Sequence, residues 1–152
     1  MKANKQNIHK IAKNVRKQCE NFVASKESAW YDCHNDPSLM TMCAIASFVL
    51  FQELDKQGMK PIYVYGRYKE VPDDVCCVHH CWVECGGFIV DITATQFPID
   101  IRKKVVIRNQ QRDKNYYKQT FSTEETWEEV LTWEPTQSPS FAVASRIMEK
   151  AA

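Results

Sequence analysis

The chain has no long uninterrupted apolar run. Its most hydrophobic stretch, Ala44 to Phe51, is far short of the roughly 20 residues a helix needs to cross a bilayer. The first residues carry lysines but no hydrophobic segment of signal-peptide length, so a cytoplasmic protein is expected. Net charge is almost absent too: 20 Lys and Arg against 19 Asp and Glu give +1. That removes any general electrostatic drive toward nucleic acid or an anionic membrane, and neither is expected as a partner. Internal repeats, low-complexity tracts and long linkers are missing, which leaves one continuous domain as the expectation. A disulfide framework is a poor explanation for the seven cysteines, Cys19, Cys33, Cys43, Cys76, Cys77, Cys81 and Cys85. Their number is odd and no secretion signal accompanies them, so free thiols or metal ligands are expected.

What is present fits a folded enzyme-sized unit. The 152 residues suit a single compact domain that buries roughly 70% of the surface its unfolded chain would expose. An apolar share of 44% with 26% charged residues supports a folded core rather than a disordered chain. Positive charge is concentrated at the start, where Lys2, Lys5, Lys10, Lys13, Arg16 and Lys17 face only Glu20 and Glu27. A solvated helix face explains this, and an acidic partner is the alternative.

Ile8, Ile11, Ala12, Val15, Cys19, Phe22 and Val23 recur at helical spacing, predicting an amphipathic helix over about 3–25. A turn-prone stretch, 32–38, precedes a strongly apolar helix that Gly58 should end. From Pro61 the pattern turns to strands: Ile62 to Tyr65, Val78 to Glu84, Phe88 to Thr95 after Gly86-Gly87, Val105 to Ile107, and Tyr116 to Phe121. Ser122 and Glu125 form a capping-box signature for a short helix with Trp127 and Val130. Ser138-Pro139 can open a last helix. Helices, then antiparallel strands, then helices make an α+β layout, with a central Cys-bearing helix packed on the sheet.

Thiols attack as thiolates, so a nucleophilic cysteine needs a helix N-terminus or a histidine beside it. Thr41 can cap the central helix and put Cys43 in its first turn, where the dipole favours negative charge and free N–H groups can hold an oxyanion. A helix starting at Pro37 would instead bury Cys43 nearly two turns inside. His80 and Asp91 fall on the two arms of the hairpin. They are directly opposite if the turn centres on Cys85-Gly86, and diagonal on one face if it centres on Gly86-Gly87. In either register the carboxylate can fix the imidazole tautomer that accepts the thiol proton. His79 is the competing base, although strand alternation sends it to the other face.

The run Met42-Cys43-Ala44-Ile45-Ala46-Ser47, the helix ending at Gly58, the strand Val64-Tyr65-Gly66-Arg67, then His80-Cys81-Trp82-Val83-Glu84 and Ile89-Val90-Asp91-Ile92-Thr93 resemble the transglutaminase-like branch of the papain-like cysteine hydrolases. The likeness covers about residues 40–97. It implies Cys43 as nucleophile, His80 as base and Asp91 as the third member, with Trp82 and Glu84 on the motif's strand. It also implies chemistry through a thioester-like acyl intermediate on a protein, peptide or small-amide substrate, without a cofactor. The glycine that many members carry just before the nucleophile is missing. The chain also has no room for the extra β-domains of the large calcium-dependent transglutaminases.

Other groups have competing uses. Asn35 can offer an oxyanion donor, although turn chemistry explains it equally. Trp30 and Trp82 fit core aromatics, and Trp30 can also line a substrate cleft. Cys77, His79, Cys81 and Cys85 would share a strand face, which raises the alternative of a zinc-stabilised binding module. Ligands in a row on one straight strand splay rather than converge, so no metal is assigned.

Overall fold

The computed structural model describes residues 2–31, 33–68, 79–97, 102–113, 117–123 and 139–151. The first helix, α1 (Lys5–Val23), begins where the Asn4 side chain accepts from the Asn7 N–H at 2.9 Å, relieving one unpaired first-turn donor. Its buried stripe of Ile8, Ala12, Val15, Cys19 and Phe22 repeats every three or four residues, so one face enters the core and the lysines stay in water.

Helix α2 (Cys43–Lys56) is different: nearly every residue from Ile45 to Leu54 is buried. A helix apolar all round belongs inside, and α2 packs against α1, a C-terminal helix α3 (Pro139–Ala151), and two strands. It ends as expected at Gly58, whose φ of +69° suits glycine. The Gly58 N–H donates to Asp55 C=O (2.7 Å) and the Met59 N–H to Leu54 C=O (3.2 Å), the paired bonds of a Schellman cap. α3 opens on Pro139, where a missing N–H costs nothing.

The strands β1 (Ile62–Tyr68), β2 (His79–Cys85), β3 (Phe88–Asp91), β4 (Val106–Asn109) and β5 (Tyr117–Thr123) form one antiparallel sheet in the order β4-β3-β2-β1-β5. The α+β class and the packing of the cysteine-bearing helix on an antiparallel sheet are therefore as the sequence indicates. The β2–β3 turn centres on Gly86-Gly87, with φ of +58° and +80°, the left-handed pair a tight hairpin requires. Gly86 has a second reason to lack a side chain: an added Cβ would lie 2.9 Å from the Ala3 carbonyl oxygen.

Two boundaries depart from the sequence pattern. β3 stops at Asp91 rather than Thr95, because Asp91 Oδ1 accepts from the Thr93 N–H (2.8 Å) and hydroxyl (3.2 Å), bending the chain into a 3₁₀ turn at Ala94–Gln96. Ser122 is no helix cap, since it pairs with Val64 inside β5. The helix expected to carry Trp127 and Val130 lies outside the described residues.

Strand alternation divides the interior. Tyr63, Cys81, Val83, Cys85, Val90 and Ile92 join the helices in a largely aliphatic core. Val64, Tyr68, Trp82, Ile89, Phe97 and Tyr117 form a separate, aromatic cluster on the other face. No helix among the described residues is long and apolar enough to cross a membrane.

Candidate active site

Cys43 is the first residue of α2, with Met42 at the cap and the first helical bond running from Ala46 N–H to Met42 C=O at 2.8 Å. The helix does not start at Pro37. The cap is not Thr41 either: Thr41 lies in the left-handed region at φ +68°, and no side chain caps the helix. The first-turn N–H groups thus have no side-chain acceptor, which leaves the positive end of the helix beside the sulfur. Leu39 (φ +59°) is left-handed as well. Such conformations cost of order 1–3 kcal/mol each for residues other than glycine. Surrounding contacts hold the loop: Leu39 is fully buried, and the Asp36 carboxylate accepts from the Ser38 N–H, the Ser38 hydroxyl and the Met40 N–H.

Glycine-centred pairing makes His80 and Asp91 diagonal neighbours on the aromatic face, the second of the two registers the sequence allowed. His80 Nε2 and Asp91 Oδ2 are 2.6 Å apart, and both side chains are completely buried. Tyr117 also donates its hydroxyl to Asp91 Oδ2, at 2.9 Å. With Thr93 on Oδ1, the carboxylate is fully engaged. Burial pushes the Asp91 pKa up, but the charge and hydrogen bond of His80, then Thr93 and Tyr117, outweigh it and hold the group below its ordinary 3.8. Burial likewise works against a charged His80, yet Asp91 and then Cys43 raise the imidazole to about 9. Phe97 packs edge-on to the ring at 4.8 Å, and Tyr68 does so at 6.2 Å.

Because Asp91 occupies Nε2, Nδ1 is the ring nitrogen left for the sulfur. The Gln96 amide also reaches Nδ1, at 3.3 Å, while donating to Thr93 C=O at 3.0 Å. Cys43 is held well below the ordinary thiol range, foremost by a hydrogen bond from Cys81, against the opposing effect of burial, and next by the hydrogen bond and charge of His80. Cys81 is pushed the other way by its bond to Cys43 and by burial. Tyr63 donates its hydroxyl to the Cys81 sulfur at 2.9 Å. A chain of donors therefore runs Tyr63 to Cys81 to Cys43, and His80 is the sulfur's second partner. The directions of the two shifts favour a thiolate on Cys43 beside a protonated His80. Cys43 is half-buried, whereas Cys19, Cys33, Cys81 and Cys85 are buried.

Of the remaining expected site residues, Asn35 and Trp82 have other partners, and the side chains of Trp30 and His79 lie outside the described residues. Asn35, left-handed at φ +58°, turns its amide to His34 Nε2 at 3.0 Å, so turn chemistry accounts for it and the oxyanion role falls away. Trp82 is fully buried and donates its indole N–H to Glu84 Oε1 at 3.3 Å, with its ring tilted beside that of His80. Trp30 ends a 3₁₀ helix (Lys26–Trp30), and its side chain lies outside the described residues. His79 opens β2 opposite Arg67, and its side chain, like Cys76 and Cys77, is also outside them. Cys85 gives its S–H to Met59 C=O at 3.5 Å, and among the described residues no three His, Cys, Asp or Glu side chains converge on a metal-sized site.

Sequence reasoning missed Tyr63, Cys81 as a donor, Gln96 and Tyr117. Tyr63 and Cys81 share a face across β1 and β2, a signal that register alone could have supplied. Tyr117 carried none, since its strand lies far along the chain from Asp91.

No protein-family model, curated protein or solved structure matches the chain. Fold and site together define an α+β domain with a half-buried cysteine at a helix start beside a buried His-Asp pair.

Proposed function

We propose that the chain is a cysteine-nucleophile hydrolase or acyl transferase of the transglutaminase-like, papain-like kind, acting on an amide of a peptide, an isopeptide or a glutamine side chain. The observation that carries this reading is the order of contacts at one helix start: Cys43 meets His80, and His80 is held by Asp91. The Cys43 thiolate adds to the acyl carbon, and first-turn N–H groups of α2 receive the negative oxygen. His80 then gives its proton to the departing amine as the C–N bond breaks, leaving a thioester on Cys43. Water, deprotonated by His80, releases the acid; a primary amine in its place releases a new amide. The same proposal places the protein in the cytoplasm, where unpaired cysteines stay reduced.

The test is acylation by an activated ester followed by intact mass. One acyl group per chain is expected on Cys43, lost in Cys43→Ala and slowed in His80→Ala. Added primary amine distinguishes transfer from hydrolysis by the product formed. Acylation spread over several residues, unaffected by His80→Ala, would sink the proposal. Cys43→Ser protein incubated with cell extract then reports which acyl donor stays bound.

A further inference from the structure

Arg16 is a buried cation, with its side chain 3% exposed, on a helix whose other basic residues face water. Its Nε pairs with Glu20 at 2.9 Å, but that carboxylate is partly exposed and shared with Lys104. The rest of the guanidinium faces inward. Nη1 donates to Ile92 C=O at 2.6 Å and Thr95 Oγ1 at 3.0 Å, and Nη2 donates to Pro37 C=O at 2.6 Å. Thr95 in turn donates its hydroxyl to Ser38 C=O at 2.6 Å.

These partners lie on two segments. Pro37 and Ser38 belong to the left-handed loop that ends at Cys43. Ile92 and Thr95 belong to the turn between Asp91, which holds His80 at Nε2, and Gln96, whose amide nitrogen lies 3.3 Å from Nδ1. Burying a charge is costly, and an apolar residue of similar volume often stabilises a fold as well. What an apolar residue lacks is a planar fork able to bind three carbonyl or hydroxyl oxygens on separate segments.

We infer that Arg16, with Thr95, is a positioning residue: a clasp that fixes the distance between the loop carrying Cys43 and the turn carrying the groups on His80, without touching the sulfur or the imidazole. This assignment presupposes the Cys43 chemistry proposed above. The groups around the sulfur that set its titration are His80, Cys81 and Tyr63, and the clasp acts on their geometry rather than on their charge.

The experiment is the rate of Cys43 alkylation by iodoacetamide across pH, on the full chain, for wild type, Arg16→Ala, Arg16→Lys and Thr95→Val. Val15→Ala, a buried apolar truncation beside Arg16 on α1, serves as a control for plain loss of stability. A loosened clasp raises the thiolate midpoint in Arg16→Ala by about one pH unit, which is about a tenfold slower reaction on the acid limb below both midpoints and little change at neutrality. Thr95→Val shifts it in the same direction by less. Millimolar guanidinium ion or the lysine variant restores part of the Arg16→Ala loss, and Val15→Ala keeps the wild-type midpoint despite a lower Tm. Wild-type profiles in folded Arg16→Ala or Thr95→Val overturn the clasp alone. A wild-type Cys43 no more reactive than an ordinary thiol overturns the proposed chemistry and the clasp together.

Discussion

The two faces of the sheet are built from different materials. On the helix side the core is mostly aliphatic, with Leu50, Leu54, Val49 and Ile45 of α2 and Val83, Val90 and Ile92 of the sheet alongside Phe22, Phe48, Phe51 and Tyr63. On the other side, aromatic rings enclose buried polar groups: His80, Asp91, the Tyr117 hydroxyl and, on the same face of β2, Glu84, which accepts from Trp82 and Gln110. Each fully buried Leu or Val contributes roughly 1.5–3 kcal/mol, so the larger helix-side cluster supplies most of the apolar burial. A buried ion pair brings little net stability, because desolvation offsets attraction. The aromatic side therefore holds ionisable groups in place at some cost, a pattern that marks sites of chemistry. Cys43 stands between the two, packed against the helix-side core yet in contact with His80.

Substitutions on the two faces should separate reactivity from stability. His80→Ala should have the largest kinetic effect: the charge and hydrogen bond of the imidazolium are lost, the Cys43 midpoint rises part of the way toward an ordinary thiol's while Cys81 still donates, and alkylation at pH 6 falls by about 10-fold or more. Asp91→Ala should act on both properties. It leaves a buried imidazole unpaired, at about 3–5 kcal/mol in denaturant unfolding, and it slows acylation. Leu50→Ala should cost about 2–5 kcal/mol of stability by opening a cavity, while the pH profile of Cys43 stays where it is. A shifted profile there would break the division of labour between the faces. Tyr117→Phe should be the mildest, removing one hydrogen bond to Asp91 for about 1 kcal/mol, with a small upward shift of the imidazole midpoint read by NMR as Asp91 Oδ2 loses a competing donor.

The pH dependence follows from the directions of the two shifts. Acylation should rise as pH climbs through the depressed Cys43 value, hold across neutrality, and fall as His80 loses its proton near pH 9. The upper limb belongs to leaving-group protonation, so it should disappear with esters of acidic phenols, whose leaving groups need no proton.

The sequence revealed the elements that local chemistry determines. The stripe on α1, the glycine after α2 and the paired glycines between β2 and β3 each left a physical signature, and the hairpin alone was enough to bring His80 and Asp91 to one face. It was least informative where partners meet across the fold. Asn35 suggested an oxyanion donor because its amide precedes Cys43, but His34 lies beside it and takes the hydrogen bond. Trp82 fitted a core aromatic, and its neighbours on the sheet face do bury it. Arg16 read as one more lysine-like charge on an amphipathic helix. Only the loops that converge on its guanidinium, from positions far along the chain, show why it points inward.

The most direct measurement is the rate of Cys43 alkylation by iodoacetamide from pH 4 to 10, with the modified residue identified by mass. A thiolate-imidazolium pair predicts appreciable labelling of Cys43 already at pH 5–6 and little change through neutrality. A single sigmoid rising near pH 8.5, as for any free thiol, would contradict it.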